Sequence, residues 1–129
     1  MTVYLDTSAA AKVLVDEPES EALVDYLDSL PADAGAISSI LLETELRRLA
    51  LRLDLAQSAV SDLLGRVALV EAQRSLFYEA GLLPGPTLRS LDALHLATAL
   101  RVDASVVLAY DNHLLAAARG LGLEVVSPG

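Results

Sequence analysis

Four carboxylates stand where chemistry can be built: Asp6, Glu45, Asp92 and Asp111. Asp6 ends the β-type run Val3, Tyr4, Leu5, and Asp111 follows the apolar run Ser105 to Ala109, so each closes a predicted strand and opens a predicted helix. Ligands of open α/β sheets bind beyond the carboxyl ends of the strands. Carboxylates at two such ends make a floor for a hard divalent cation such as Mg2+, which takes a few carboxylates and completes its shell with water and substrate phosphate. The chain has no cysteine and two histidines, so any metal here is held mainly by oxygen.

Each acid also has a plainer reading. Asp6 and Asp111 precede helices, where aspartate caps the free amides of the first turn. Asp92 lies in the first turn of SLDALHLATAL, where the helix dipole favours an acid by about 0.3–1 kcal/mol. Glu45 sits within a helix at the border of a leucine stripe and needs a partner, which Arg48 three residues on can supply. Glu43 points away from that stripe and pairs with Arg47 at i+4. His95, one turn after Asp92, reads as a helix residue partly packed beside it, and His113 as a surface residue after an Asp-Asn turn.

The elements that must position these acids alternate. Strands are expected at residues 3–5, 36–38, 67–70, 105–109 and 123–126, and helices at about 8–15, 18–30, 56–64, 75–80, 90–102 and 111–119. A further helix follows the second strand, with Leu42, Leu46, Leu49 and Leu53 on its core face. GLLPGP at residues 81–86 is a loop. Strands separated by helices pair in parallel with helices on both faces, which makes the fold α/β. The 129 residues fit one domain.

Composition narrows the function. Apolar stretches are broken by charge well short of the roughly 20 residues that span a bilayer. The start, MTVYLDTSAA, carries no signal-peptide pattern, so a cytoplasmic protein is expected. The net charge of −9 disfavours binding to a polyanion, but its distribution is uneven. Residues 16 to 33 hold seven acids and no base, whereas seven of the eight arginines fall between Arg47 and Arg101.

The segments VYLDTSAA, SSILLETELRR, SLDALHLATAL and VVLAYDNHLLAAARGLGLEVV look like the four acidic motifs of PIN domains, in the family's order and over essentially the whole chain. The sequence thus resembles the PIN-domain ribonucleases that serve as VapC-type toxins of toxin–antitoxin pairs. This resemblance implies a single PIN domain over residues 1–129, with a three-layer α/β/α fold around a mostly parallel sheet of four or five strands. It implies that Asp6, Glu45, Asp92 and Asp111 are catalytic. Asp6, Asp92 and Asp111 then hold Mg2+ (or Mn2+), and Glu45 binds it directly or through water. The expected reaction is metal-assisted hydrolysis of RNA to a 5′-phosphate and a 3′-hydroxyl.

Thr7 and Ser8 match polar positions that, in the family, hold metal-bound water or one of the acids. Asn112 stands where some PIN nucleases carry a further acid; an amide there can orient water but weakens the case for a second metal. The partners implied are an RNA substrate, a VapB-type antitoxin with an Arg or Lys at the acidic pocket, and a second copy of the chain. Ile40 and Leu51, opposite the leucine stripe, are candidates for such a contact face. The rival reading is a PIN fold kept as a catalytically silent binding module. A receiver-type phosphoacceptor would want an acidic pair after the first strand and a late lysine, and a haloacid-dehalogenase-type phosphatase a second aspartate where Ser8 stands; the chain has neither pattern.

Overall fold

The computed structural model describes all residues, Met1–Gly129. Five parallel strands form one sheet: β1 (Thr2–Leu5), β2 (Gly35–Ser39), β3 (Ala68–Val70), β4 (Val106–Leu108) and β5 (Val125–Val126), in the order β3-β2-β1-β4-β5. The chain builds outward from β1 in one direction, through β2 and β3, and then returns to build outward in the other. The reversal falls between β1 and β4, which pair in the register Val3 with Val106 and Leu5 with Leu108. Asp6 and Asp111 leave the carboxyl ends of these two neighbouring strands, at the switch point where α/β sheets bind ligands.

The alternation of β1 assigns the layers. Val3 and Leu5 face one side, where they meet buried residues of α1 (Thr7–Leu14), α2 (Ser20–Asp28), α3 (Leu41–Leu53) and α4 (Gln57–Leu64). Tyr4 faces the other and packs against Leu96 of α6 (Ser90–Arg101) and Leu114 of α7 (Asn112–Gly120). Side chains such as Leu5, Leu42 and Leu46 are wholly withdrawn from solvent, each stabilising the fold by about 1.5–3 kcal/mol. Every residue of α6 from Ala93 to Ala99 is buried, because the helix lies between the sheet and α5 (Arg74–Gly81). Its alanines let it pack on both sides.

The structure shortens or shifts several expected elements. The inner stripe of α3 is Leu42, Leu46 and Ala50, while Leu53 is 49% exposed. The i+4 row drifts around a 3.6-residue helix, and the left-handed Asp54 ends α3 before Leu53 can turn inward. The second helix starts at Ser20 rather than Pro18, since the Ser20 hydroxyl ties the turn together by donating to Lys12 O and accepting from Glu17 N. The last strand is confined to Val125–Val126, because Gly122, at φ +80°, is still turning away from α7. Leu51 is 63% exposed, and Ile40 is only partly so.

Candidate active site

Asp6 leaves β1 and enters α1 with no intervening loop. It is 3% exposed, and its Oδ2 accepts from the Ser8 amide at 3.1 Å and the Ser8 hydroxyl at 2.6 Å. The same hydroxyl accepts from the Tyr110 amide at 2.9 Å. Ser8 therefore joins the carboxylate after β1 to the backbone after β4, and its contact is with an acid and the chain. Asp111 caps α7, its Oδ1 accepting from the His113 and Leu114 amides at 2.9 and 3.1 Å. Capping and a functional role do not compete here, because each cap uses one carboxylate oxygen and the other stays out of it.

Asp92 lies partly buried in the first turn of α6. Burial first, then the charges of Asp6 and Asp111, holds its carboxyl above the usual aspartate range, with Arg89 and His95 working in the opposite sense. Three aspartates from three parts of the chain thus share one electrostatic neighbourhood. They do not close into a ready-made cage: nowhere do three acidic or histidine side chains converge tightly enough to hold an ion. The donor set, all carboxylate oxygen and mutually repelling, is nevertheless the kind that a hard divalent cation takes and relieves.

Glu45, in the second turn of α3, finds its partner across the sheet edge. His95 Nε2 lies 2.7 Å from Glu45 Oε1, and the Thr7 hydroxyl donates to the same oxygen at 3.0 Å. Arg48, the partner offered by helix spacing, takes no part, whereas Glu43 pairs with Arg47 at 3.0 Å as its spacing indicates. His95 is not a half-packed neighbour of Asp92 but a core residue, 1% exposed, whose Nδ1 lies 2.6 Å from the Tyr4 hydroxyl. Burial works against its charged form, but Glu45, Asp6 and Asp92 outweigh burial and raise its pKa. Tyr4 and His95 are the residues that sequence reasoning missed. The available signal was a polar pair, one on a doubly buried strand and one inside an alanine- and leucine-rich helix, each of which needs a partner.

Asn112 and His113 are exposed on the first turn of α7, beside a groove of about 580 Å3 shared with Thr87 and Leu88. None of the four acids lines that groove. No helix is long and apolar enough to cross a membrane.

The model of the PIN domain family matches residues 3–120. Ribonuclease VapC35 of Mycobacterium tuberculosis is 41% identical over 133 residues, covering 98% of this chain and 97% of that protein. Ribonuclease VapC46 of the same organism is 40% identical over 130 residues with the same coverage. Among solved structures, VapBC2 from Rickettsia felis, bound to a promoter DNA fragment, superposes with a TM-score of 0.79 over 100% of both chains at 16% identity. VapC20 of Mycobacterium tuberculosis, a toxin that cleaves the sarcin-ricin loop, gives 0.74 at 18% identity over 89% of this chain and 94% of that one.

Proposed function

Because the chain belongs to the PIN-domain family, we propose that it is a metal-dependent endoribonuclease acting as the toxin of a toxin–antitoxin pair. The single observation that carries this reading is that Asp6 and Asp111 leave neighbouring strands at the switch point of the sheet, near enough for their charges, added to burial, to raise the proton affinity of Asp92. Full-length similarity to proteins named ribonuclease VapC supports it.

The chemistry follows from charge. A phosphodiester is anionic, so attack on phosphorus requires its charge to be offset and a water to be made nucleophilic. Asp6, Asp92 and Asp111 would hold Mg2+ or Mn2+ through their free oxygens, and the cation, when bound, supplies both effects. The protein's own part is positioning. Ser8 and the α7 amides fix Asp6 and Asp111, and Glu45 orients the attacking water. Arg89, whose charge reaches Asp92, offers a cation to the RNA backbone. Asn112, exposed beside Asp111 in the chain, would orient water or substrate. A basic side chain from a VapB-type antitoxin would satisfy the same acids and keep RNA out, and a second copy of the chain would complete the complex. The cytoplasm, where RNA and antitoxin meet, is the setting this reading requires.

The test is cleavage of a mixed set of structured RNAs by purified, antitoxin-free protein with Mg2+, Mn2+ or EDTA, beside Asp6→Asn and Asp92→Asn. Metal-dependent cutting that falls by roughly 10³-fold in both variants, as expected when several kcal/mol of transition-state stabilisation are removed, supports the nuclease. A folded protein that cuts none of them points to a binding module.

A further inference from the structure

Glu45 differs from the three aspartates in how it is held. Both bonds to it end on Oε1, from His95 Nε2 at 2.7 Å and from Thr7 at 3.0 Å, and neither reaches Oε2. The imidazole is itself fixed from behind by the Tyr4 hydroxyl at 2.6 Å, with the two rings edge to face at 5.9 Å between centroids. Tyr4 and His95 are both about 1% exposed, so neither touches RNA.

The order of donors is set by chemistry. A bare Nε2 facing a carboxylate oxygen would be repulsive, so Nε2 carries a proton toward Glu45. In a neutral ring Nδ1 then accepts from the Tyr4 hydroxyl, which holds the ring in that tautomer. The arrangement repeats the logic by which groups behind a ligand fix its angle.

We infer that Tyr4 and His95 are positioning residues for Glu45, clamping Oε1 so that Oε2 alone is left for the cation or the attacking water. This rests on the nuclease reading. Glu45 then serves as a one-oxygen ligand or water anchor, and its aim is set by a strand residue and a helix residue from the opposite face of the sheet.

The experiment uses the full chain with Tyr4→Phe, His95→Leu and His95→Gln. Three readouts are taken: kcat and KM on an RNA that the wild type cuts, Mn2+ affinity by calorimetry, and the imidazole N–H proton resonances of His95 by NMR. In the wild type a downfield, slowly exchanging Nε2–H resonance is expected, shifting in Glu45→Gln and in Tyr4→Phe. His95→Leu should lower kcat by about 10–100-fold with KM changed less than about twofold, and should weaken Mn2+ binding by a similar factor, as loss of such supporting partners does. His95→Gln, whose side-chain amide can replace the donor to Oε1, should regain most of this, and Tyr4→Phe should lose about 3–10-fold.

The proposal is overturned if the resonance is absent. It is overturned equally if the variants keep wild-type kcat and Mn2+ affinity, or if their losses follow only the unfolded fraction in thermal melts. If the wild type shows the resonance yet neither cuts RNA nor binds Mn2+, the nuclease reading has failed and the assignment of Glu45 falls with it.

Discussion

Two corners of the sheet's carboxyl edge hold their acids by different means. At the corner of Asp6 and Asp111, the carboxylates accept from amides two or three residues ahead in the chain, and one hydroxyl, that of Ser8, stitches the two strands together. At the corner of Glu45, every bond is between side chains far apart in sequence: His95 lies 50 residues from Glu45 and 91 from Tyr4. The first corner is assembled by helix starts, which carry partial positive charge whatever else the fold does. The second exists only once both helical layers are in place. The same chemical group is thus secured by local backbone in one corner and by tertiary packing in the other.

The sharpest break of this contrast separates cap from charge at Asp111. Asparagine caps a helix as well as aspartate does. Asp111→Asn should therefore leave the melting temperature almost unchanged while RNA cleavage falls by roughly 10³-fold, whereas Asp111→Ala loses the cleavage and about 1 kcal/mol of stability as well. Full cleavage by Asp111→Asn would show that this acid serves α7 alone.

Next in size is Ser8→Ala, which leaves the Tyr110 amide and Asp6 short of a partner. It should cost about 1–2 kcal/mol in urea unfolding and roughly tenfold in cleavage. An unaltered variant would mean that the two strand ends keep their spacing without the stitch.

A smaller effect, of opposite sign, is expected at Asp92. Its raised pKa means that the folded state binds the proton more tightly than the unfolded state, so the ionised form works against folding as pH rises through that value. Asp92→Asn removes this opposition. In EDTA its melting temperature should exceed the wild type's at neutral pH, and the gap should close as pH falls into the ordinary carboxylate range. Equal melts at neutral pH would show that neither burial nor the charges of Asp6 and Asp111 penalise the ionised carboxyl.

The smallest change belongs to Glu43→Gln, two residues from Glu45 on the same helix. An exposed i+4 pair is worth about 0.3–0.5 kcal/mol, and cleavage should be untouched. A loss comparable with that of Glu45→Gln would erase the distinction between the faces of α3.

The contrast also explains what could be read in advance. Every strand and helix was legible, because each has a period, a cap or a breaker within its own few residues. The first corner was legible for the same reason: Asp6 and Asp111 stand directly before their helices. The parallel pairing followed from the alternation of strands and helices, whereas the strand order β3-β2-β1-β4-β5 was not legible, because nothing in a linear pattern says which neighbours a strand takes. The partner of Glu45 was not legible, because spacing along α3 offers Arg48, and nothing in a linear pattern brings residue 95 to residue 45. Leu53 misled in a similar way: its spacing fits the stripe, but the left-handed turn at Asp54 decides its exposure.

The place of β1 in the sheet has a consequence for synthesis. β1 is central in the sheet, and Val3 must wait for Val106 before its second edge is covered. A ribosome releases Asp6 and Glu45 with their strands and helices well before the segment that carries Asp92, β4 and Asp111. At about 5–20 residues per second the interval is on the order of seconds. During that time the nascent chain holds two of the four candidate acids, Asp6 and Glu45, while one edge of β1 is open. A message cut short before β4 would yield a polypeptide without Asp111, so whatever the four carboxylates do together waits until the second neighbour of the central strand has been made.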